Sequence, residues 1–220
     1  MQDGADRLAR LARSDPGQVT GTVRLSASQP VACHLLPPLL ERLRPELPQV
    51  RVELVVSNAV SNLLRREADI ALRMMQPAQQ TLVARRIGQV TLGVYAHRSH
   101  LQRRGAPQAP ADLLTHDLIG HDQSDDILRG FAAMGHALTR EHFALRTDDL
   151  IAYWQLLRAG LGIGFVADDL ARTDGEVVRL LPGLRIRPLP LWLVVHREIR
   201  TSRRIRAVYD FLAQALPQAL

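Results

Sequence analysis

Lysine is missing altogether, so all 28 basic residues are arginines, set against 22 acidic ones for a net charge of +6. An all-arginine set suits phosphate or carboxylate recognition. The arginines are scattered along the chain, however, which is the pattern of a solvated surface and no signature of nucleic-acid binding. Cysteine occurs once, at Cys33. That excludes an internal disulfide, and no Cys/His spacing resembles a structural zinc site. Aromatics make up 4% of the chain, which argues against a stacked aromatic box around a ligand. Long apolar runs are absent too. The N-terminal MQDGADRLARLARSDPGQVTG carries Arg7, Arg10 and Arg13 where a signal peptide would be apolar, and no later segment reaches membrane-spanning length. These absences point to a reducing, cytoplasmic setting.

Several enzyme signatures are lacking as well. There is no G-x-S-x-G elbow and no phosphate-binding loop ending in lysine. Gly160, Gly162 and Gly164 follow a helical stretch and precede a strand, the reverse of the order a dinucleotide fingerprint needs. They read instead as a helix stop and a site of close strand packing. The histidines, His97 and His100 among them, have no carboxylates or cysteines at metal-ligand spacing, so no metal, no cofactor and no catalytic residue is assigned. No nucleophile, base and orienting group can be assembled from the motifs present.

What is present organises around Gly21 to Ser57. Thr22 to Ser26 alternates with Val23 and Leu25 on one face, the period of a half-buried strand. Leu35, Leu36, Leu39, Leu40 and Leu43 then recur at helical spacing, and Ser28 is placed to cap that helix. Cys33 lies on the helix near its start and reads as an inert buried thiol, with a redox sensor as the alternative. Pro37-Pro38 would prefer the first turn of a helix. VRVELVV at 50–56 is a β-branched strand with one protected face. Strand, helix and strand in about 35 residues make a βαβ unit with a right-handed crossover. In open parallel sheets a ligand sits at the carboxyl ends of the strands, and here that place is Ser28.

Along the rest of the chain, residues 3–13 could make three helical turns. A short helix is expected over Asn58–Ala68 and a strand over Asp69–Met74. Leu82 to His97 reads as one or two strands bent at Gly88. Gly105 to Pro110 is the strongest linker signal. Short elements follow, with a helix in Asp125–Leu138, a strand from Phe143 to Thr147 and a helix after Asp148. Ile163–Val166, Val177–Leu181 and LPLWLVVH at 189–196 are strands, and Ser202–Leu216 is an amphipathic helix. The alternation gives an α/β protein.

Six segments in this order resemble the effector-binding domain of LysR-type transcriptional regulators, over roughly residues 19 to 216. GTVRLSAS with LLPPLLERLRPELPQVRVELV resembles the opening strand, helix and strand, and RREADIALRM the third-strand signature. LVARRIGQVTLGVYAH, RTDDLIAYWQLLRAGLGIGFV and REIRTSRRIRAVYDFL resemble later segments. The resemblance implies two Rossmann-like lobes of the type II periplasmic-binding-protein kind, with a small-molecule effector between them. Crossovers near 95–97 and 195–197 would make lobe one 21–95 plus 197–220 and lobe two 96–196, with 1–20 as the remnant of a linker helix. It moves the first helix's start to near Val31, with a tolerated kink. Ala167 departs from the proline that many relatives have after this strand.

The candidate ligand residues are Ser28, Gln29 and Arg73 in one lobe and His121, Thr147 and Asp148 in the other. Each has a second reading. Ser28 and Asp148 could be helix caps, and Arg73 could sit in a structural salt bridge as readily as on a ligand carboxylate. The resemblance also implies self-association through the Asn58–Ala68 helix and Val50–Val56, no membrane contact, and DNA contact only through a helix-turn-helix domain that this chain does not contain. A free-standing solute-binding protein, or an enzyme on the same scaffold, is the alternative.

Overall fold

The computed structural model describes residues 19–57, 68–77, 81–197 and 202–220. The helices expected over 3–13 and 58–68 fall outside these residues, apart from Ala68. By contacts the chain divides into two units, one holding the chain up to Gly88 with Pro190–Leu220 and the other Gln89–Leu189.

In unit one, β1 (Gly21–Ala27) buries Val23 and Leu25 completely, as the alternation predicts. The helix that follows reconciles its two expected starts. Val31–Leu35 winds as a wide π turn and passes into α1 (Leu36–Glu46), with Pro37 in its first turn. Pro37 and Pro38 have no N–H to close α bonds to the carbonyls of Cys33 and His34, so the chain takes a wider turn before them. Cys33 is exposed, not buried, because Val31, Ala32 and Leu35 take the inward positions of that turn. Strands β2 (Val50–Val56), β3 (Ile70–Arg73) and β4 (Leu82–Val90) follow, and β10 (Leu189–His196) and α6 (Arg203–Ala219) return from the end of the chain. The sheet order is β2-β1-β3-β10-β4. β1 runs parallel to β2 and β3, and β10 antiparallel to β3. Leu36, Leu39 and Leu43 of α1 and Ile205, Val208 and Leu212 of α6 join Val23, Leu25, Leu72 and Leu193 in one core. Burial of each such side chain contributes about 1.5–3 kcal/mol.

In unit two, β5 (Leu92–His97) is the centre of an antiparallel sheet between β8 (Gly164–Ala167) and β9 (Val177–Leu180). β6 (Leu118–Gly120) and β7 (Phe143–Arg146) pair in parallel. Ile163 ties β6 to the start of β8. Its N–H donates to the Asp117 carbonyl at 2.8 Å, and its carbonyl accepts from Ile119 N–H at 2.9 Å. Gly162 permits this approach, because a Cβ there would lie 2.7 Å from the Asp117 carbonyl oxygen. The helices are α2 (Arg98–Arg104), α3 (Asp126–Ala133), α4 (Leu150–Arg158) and α5 (Asp168–Ala171), with 3-10 turns at Pro110–Thr115 and Arg140–His142. Ala167 holds φ at −65°, the angle a proline ring would impose. The alanine therefore keeps the turn that a proline would set.

The expected crossovers put β5 in the first lobe and β10 in the second. Pairing reverses both, since β5 bonds to β8 and β9, and β10 bonds to β3. The divisions fall at Gly88/Gln89 and Leu189/Pro190 instead. Among the described residues no helix is long and apolar enough to cross a membrane.

Candidate functional site

In unit one the candidates gather at the carboxyl ends of β1 and β3. Ser28 follows β1 and does not cap the helix, contrary to one of its two expected roles. The N-cap is Pro30, without a side-chain bond, and the Ser28 Oγ is buried with no hydrogen-bond partner. Ser28 contributes through its carbonyl, which accepts from Ala32 N–H at 2.9 Å. Gln29 is next in the chain and half-buried.

Arg73 ends β3 and is 6% exposed. Its Nη1 donates to the Leu72 carbonyl at 2.9 Å and its Nη2 to Ser26 Oγ at 2.8 Å. The structural salt bridge considered for it does not form among the described residues. Glu53 is committed to the Arg24 guanidinium at 3.1 Å, and the Asp69 carboxylate accepts from Arg24 N–H at 2.8 Å. Burial lowers the Arg73 pKa from the usual guanidinium value, yet an arginine side chain stays protonated in proteins. The result is a buried positive charge without a counter-charge among the described residues.

Two neighbours of Arg73 are not among the residues expected from sequence. Ser26 is fully buried in β1 and holds the guanidinium. Trp192 stands level with Arg73 across the antiparallel β3–β10 pair, and its indole Nε1 is buried with no partner. A signal was available, for Trp192 is the one strong side-chain donor between Leu189 and Val195, where every other side chain is apolar.

In unit two, His121 and Thr147 follow β6 and β7. Thr147 N–H donates to the Gly120 carbonyl at 3.1 Å, and His121 Nδ1 lies 3.3 Å from the Thr147 carbonyl oxygen. The His121 ring stacks on Tyr153, with centroids 5.2 Å apart and planes 25° from parallel. Asp148 is not the helix cap. That role belongs to Asp149, whose carboxylate accepts from the N–H groups of Ile151 and Ala152 at 2.9 and 2.8 Å. Asp148 Oδ1 instead accepts from the N–H groups of Asp122 and Gln123, both at 3.1 Å, fixing the loop after β6. Thr147 Oγ1 accepts from Asp149 N–H at 3.1 Å. His121, Thr147 and Asp148 are thus one cluster at the carboxyl ends of a parallel strand pair.

A third polar group, unanticipated from sequence, lies within unit two. The Tyr95 hydroxyl donates to Asp168 at 2.8 Å, and Arg179 Nη1 donates to the same carboxylate at 3.0 Å. Burial, reinforced by that carboxylate, pushes the Tyr95 pKa up to about 12. The trio ties β5, α5 and β9 together and is fully satisfied, which fits a structural role. Among the described residues no group of three metal-ligating side chains gathers.

Each unit is mixed α/β, and the candidate residues stand at or just past the carboxyl ends of parallel strands, β1 and β3 in one unit and β6 and β7 in the other, the position at which open α/β sheets take ligands. The sequence matches the family described as the LysR substrate binding domain over residues 16–217, and the chain belongs to that family. It is 27% identical over 203 residues to the HTH-type transcriptional regulator CrgA of Neisseria meningitidis serogroup C, an alignment covering 89% of this chain and 67% of that protein. It is 25% identical to the HTH-type transcriptional activator AaeR of Escherichia coli K12, over 87% of this chain and 64% of the relative. The chain therefore spans about two thirds of these regulators. The solved regulatory domain of CrgA superposes with a TM-score of 0.79 at 27% identity, covering 90% of this chain and 99% of that one. The effector-binding domain of AmpR from Citrobacter freundii shares the fold, with a TM-score of 0.75 at 16% identity over 90% of this chain and all of its own.

Proposed function

We propose that this chain senses a small-molecule effector for a LysR-type transcriptional regulator and passes the signal to a DNA-binding helix-turn-helix domain of the longer protein. The family match across residues 16–217 carries the reading. The candidate contacts are Ser28, Gln29 and Arg73 in one unit, and His121, Thr147 and Asp148 in the other. Binding changes the balance between two arrangements of the regulator, a coupling typically worth about 1–3 kcal/mol. Self-association uses the β2 edge of the first sheet, where Leu54 and Val56 are 38% and 48% exposed. Apolar side chains on an unpaired edge favour pairing with another copy.

The test is a thermal-shift screen of the chain against a metabolite panel, followed by recovery of every hit after incubation. Hits recovered unchanged, and weakened by Ser28→Ala or Thr147→Ala without loss of fold, support sensing. A hit converted into another compound would establish an enzyme instead.

A further inference from the structure

Strands β1, β3 and β10 set several polar side chains on one face of one sheet. Ser26 is level with Ala71 across the parallel pair, and Ala71 is level with Val194 across the antiparallel pair. One row further toward the carboxyl end of β3, Arg73 is level with Trp192. Residues directly opposite share a face, and the bond from Arg73 Nη2 to Ser26 Oγ at 2.8 Å joins the two rows. Ser28 lies two residues beyond Ser26, just past the end of β1.

Three polar atoms of these strands and the turn after β1 are buried and unmet among the described residues: Arg73 Nε, Trp192 Nε1 and Ser28 Oγ. The first two can only donate, and the hydroxyl can donate. Two of the guanidinium's five N–H groups are spent on Leu72 and Ser26, which fixes its orientation and leaves Nε–H and the others uncommitted. Buried donors without acceptors are uncommon in native proteins and costly to leave unmet. A 6% exposed guanidinium without a carboxylate is rarer still. The neighbouring apolar cluster of Ala71, Leu82 and Val194 offers no acceptor.

We propose that Arg73, Trp192 and Ser28 form an anion subsite that takes a carboxylate group of the effector, which places the effector among the carboxylic acids. This rests on the effector-sensing reading above and adds a ligand class to it. A carboxylate brings several lone pairs and no proton, so it meets all three donors at once, and a charge-assisted bond to the guanidinium is the strongest of the set. An amine would set N–H against N–H, and a primary amide, which accepts only through its one oxygen, would turn its donating NH2 toward at least one of these donors and carry no charge for the guanidinium. Ser26 is a positioning residue, aiming the guanidinium through its Nη2.

Acids and their primary amides are the discriminating probes. Acetate with acetamide, benzoate with benzamide, and succinate with succinamide are titrated into the chain at constant ionic strength, alongside inorganic phosphate and sulfate, and followed by melting temperature. At least one acid is expected to stabilise the protein where its amide does not. Arg73→Met should weaken that acid at least about tenfold, and Trp192→Phe or Ser28→Ala a few-fold, with circular dichroism showing each variant folded. Amides that match their acids would overturn the subsite and leave effector sensing standing. Acid binding unchanged in folded Arg73→Met and Trp192→Phe would overturn it as well. Stabilisation by phosphate or sulfate, but by no carboxylate, would overturn the carboxylate assignment. No response to any of these anions would overturn the subsite, whereas the sensing reading falls only if a hit from the metabolite screen is turned over.

Discussion

The Tyr153 hydroxyl donates to the Ile119 carbonyl at 2.8 Å and accepts from Phe165 N–H at 3.0 Å, so one side chain from α4 bridges β6 and β8. Tyr153 is 2% exposed, and its burial drives the phenol pKa upward, keeping it protonated and able to donate. Tyr153→Phe would strand the buried Ile119 carbonyl and the partly buried Phe165 N–H while leaving the ring stack on His121. It should cost about 1–3 kcal/mol in urea denaturation. A cost below about 0.5 kcal/mol would show that these groups find other partners.

Two adjacent aspartates have separate roles, and substitution should separate them. Asp149→Ala removes the cap of α4 and should cost about 1 kcal/mol of stability with effector affinity unchanged. Asp148→Ala releases the loop at Asp122 and Gln123 and should weaken effector binding more than it lowers the melting temperature. Paired calorimetric titrations and thermal melts would show the split.

Arg73 is buried without a counter-charge among the described residues, so its removal should not destabilise the ligand-free protein. Arg73→Met is expected to melt at the wild-type temperature or above it, with a gain of up to about 2 kcal/mol, offset in part by the lost partner of Ser26. A clear loss of stability would mean that the guanidinium holds the sheet together.

His100 is 1% exposed, and its Nε2 is buried without a partner. Burial first, then the neighbouring His116, whose ring centroid is 5.9 Å away, and Arg103 hold its pKa below 6.5, while Asp117 and a backbone bond to Gly160 pull the other way. With the folded value below the unfolded one, the unfolded chain takes up the proton first as pH falls. The stability due to neutral His100 is complete above about pH 6.5 and declines as pH drops through that value toward the folded pKa. His100→Gln should flatten this part of the melting-temperature profile between about pH 7 and 5.

Much of this fold is legible in the sequence. LPLWLVVH at 189–196 has the bounds of β10, because an apolar β-branched run between turn residues has no competing interpretation. Other features depend on partners far along the chain. No local pattern says that β5 pairs with β8 and β9, so the division between units is read seven residues late at Tyr95. The cap of α4 falls to Asp149 because the loop after β6 claims Asp148, a contact 26 residues away in sequence. Ser28, Arg73, His121 and Thr147 could be placed from strand ends alone. Trp192 is marked only as the lone polar donor of its strand, and an indole in a buried strand reads as core until its N–H is seen without an acceptor.

The chain leaves unit one at Gly88 and returns to it at Pro190, and this fixes an order of assembly during synthesis. Unit two is an uninterrupted stretch and can close while the ribosome is still at work. Unit one must wait, for β10 fills the place between β3 and β4, and α6 covers the core that α1 leaves half open. Until Pro190–Leu220 emerges, β1, β2 and β3 offer Leu25, Leu72 and the β3 edge to any chaperone or neighbouring chain. A stop codon before Pro190 would therefore leave one finished body tethered to an aggregation-prone half sheet.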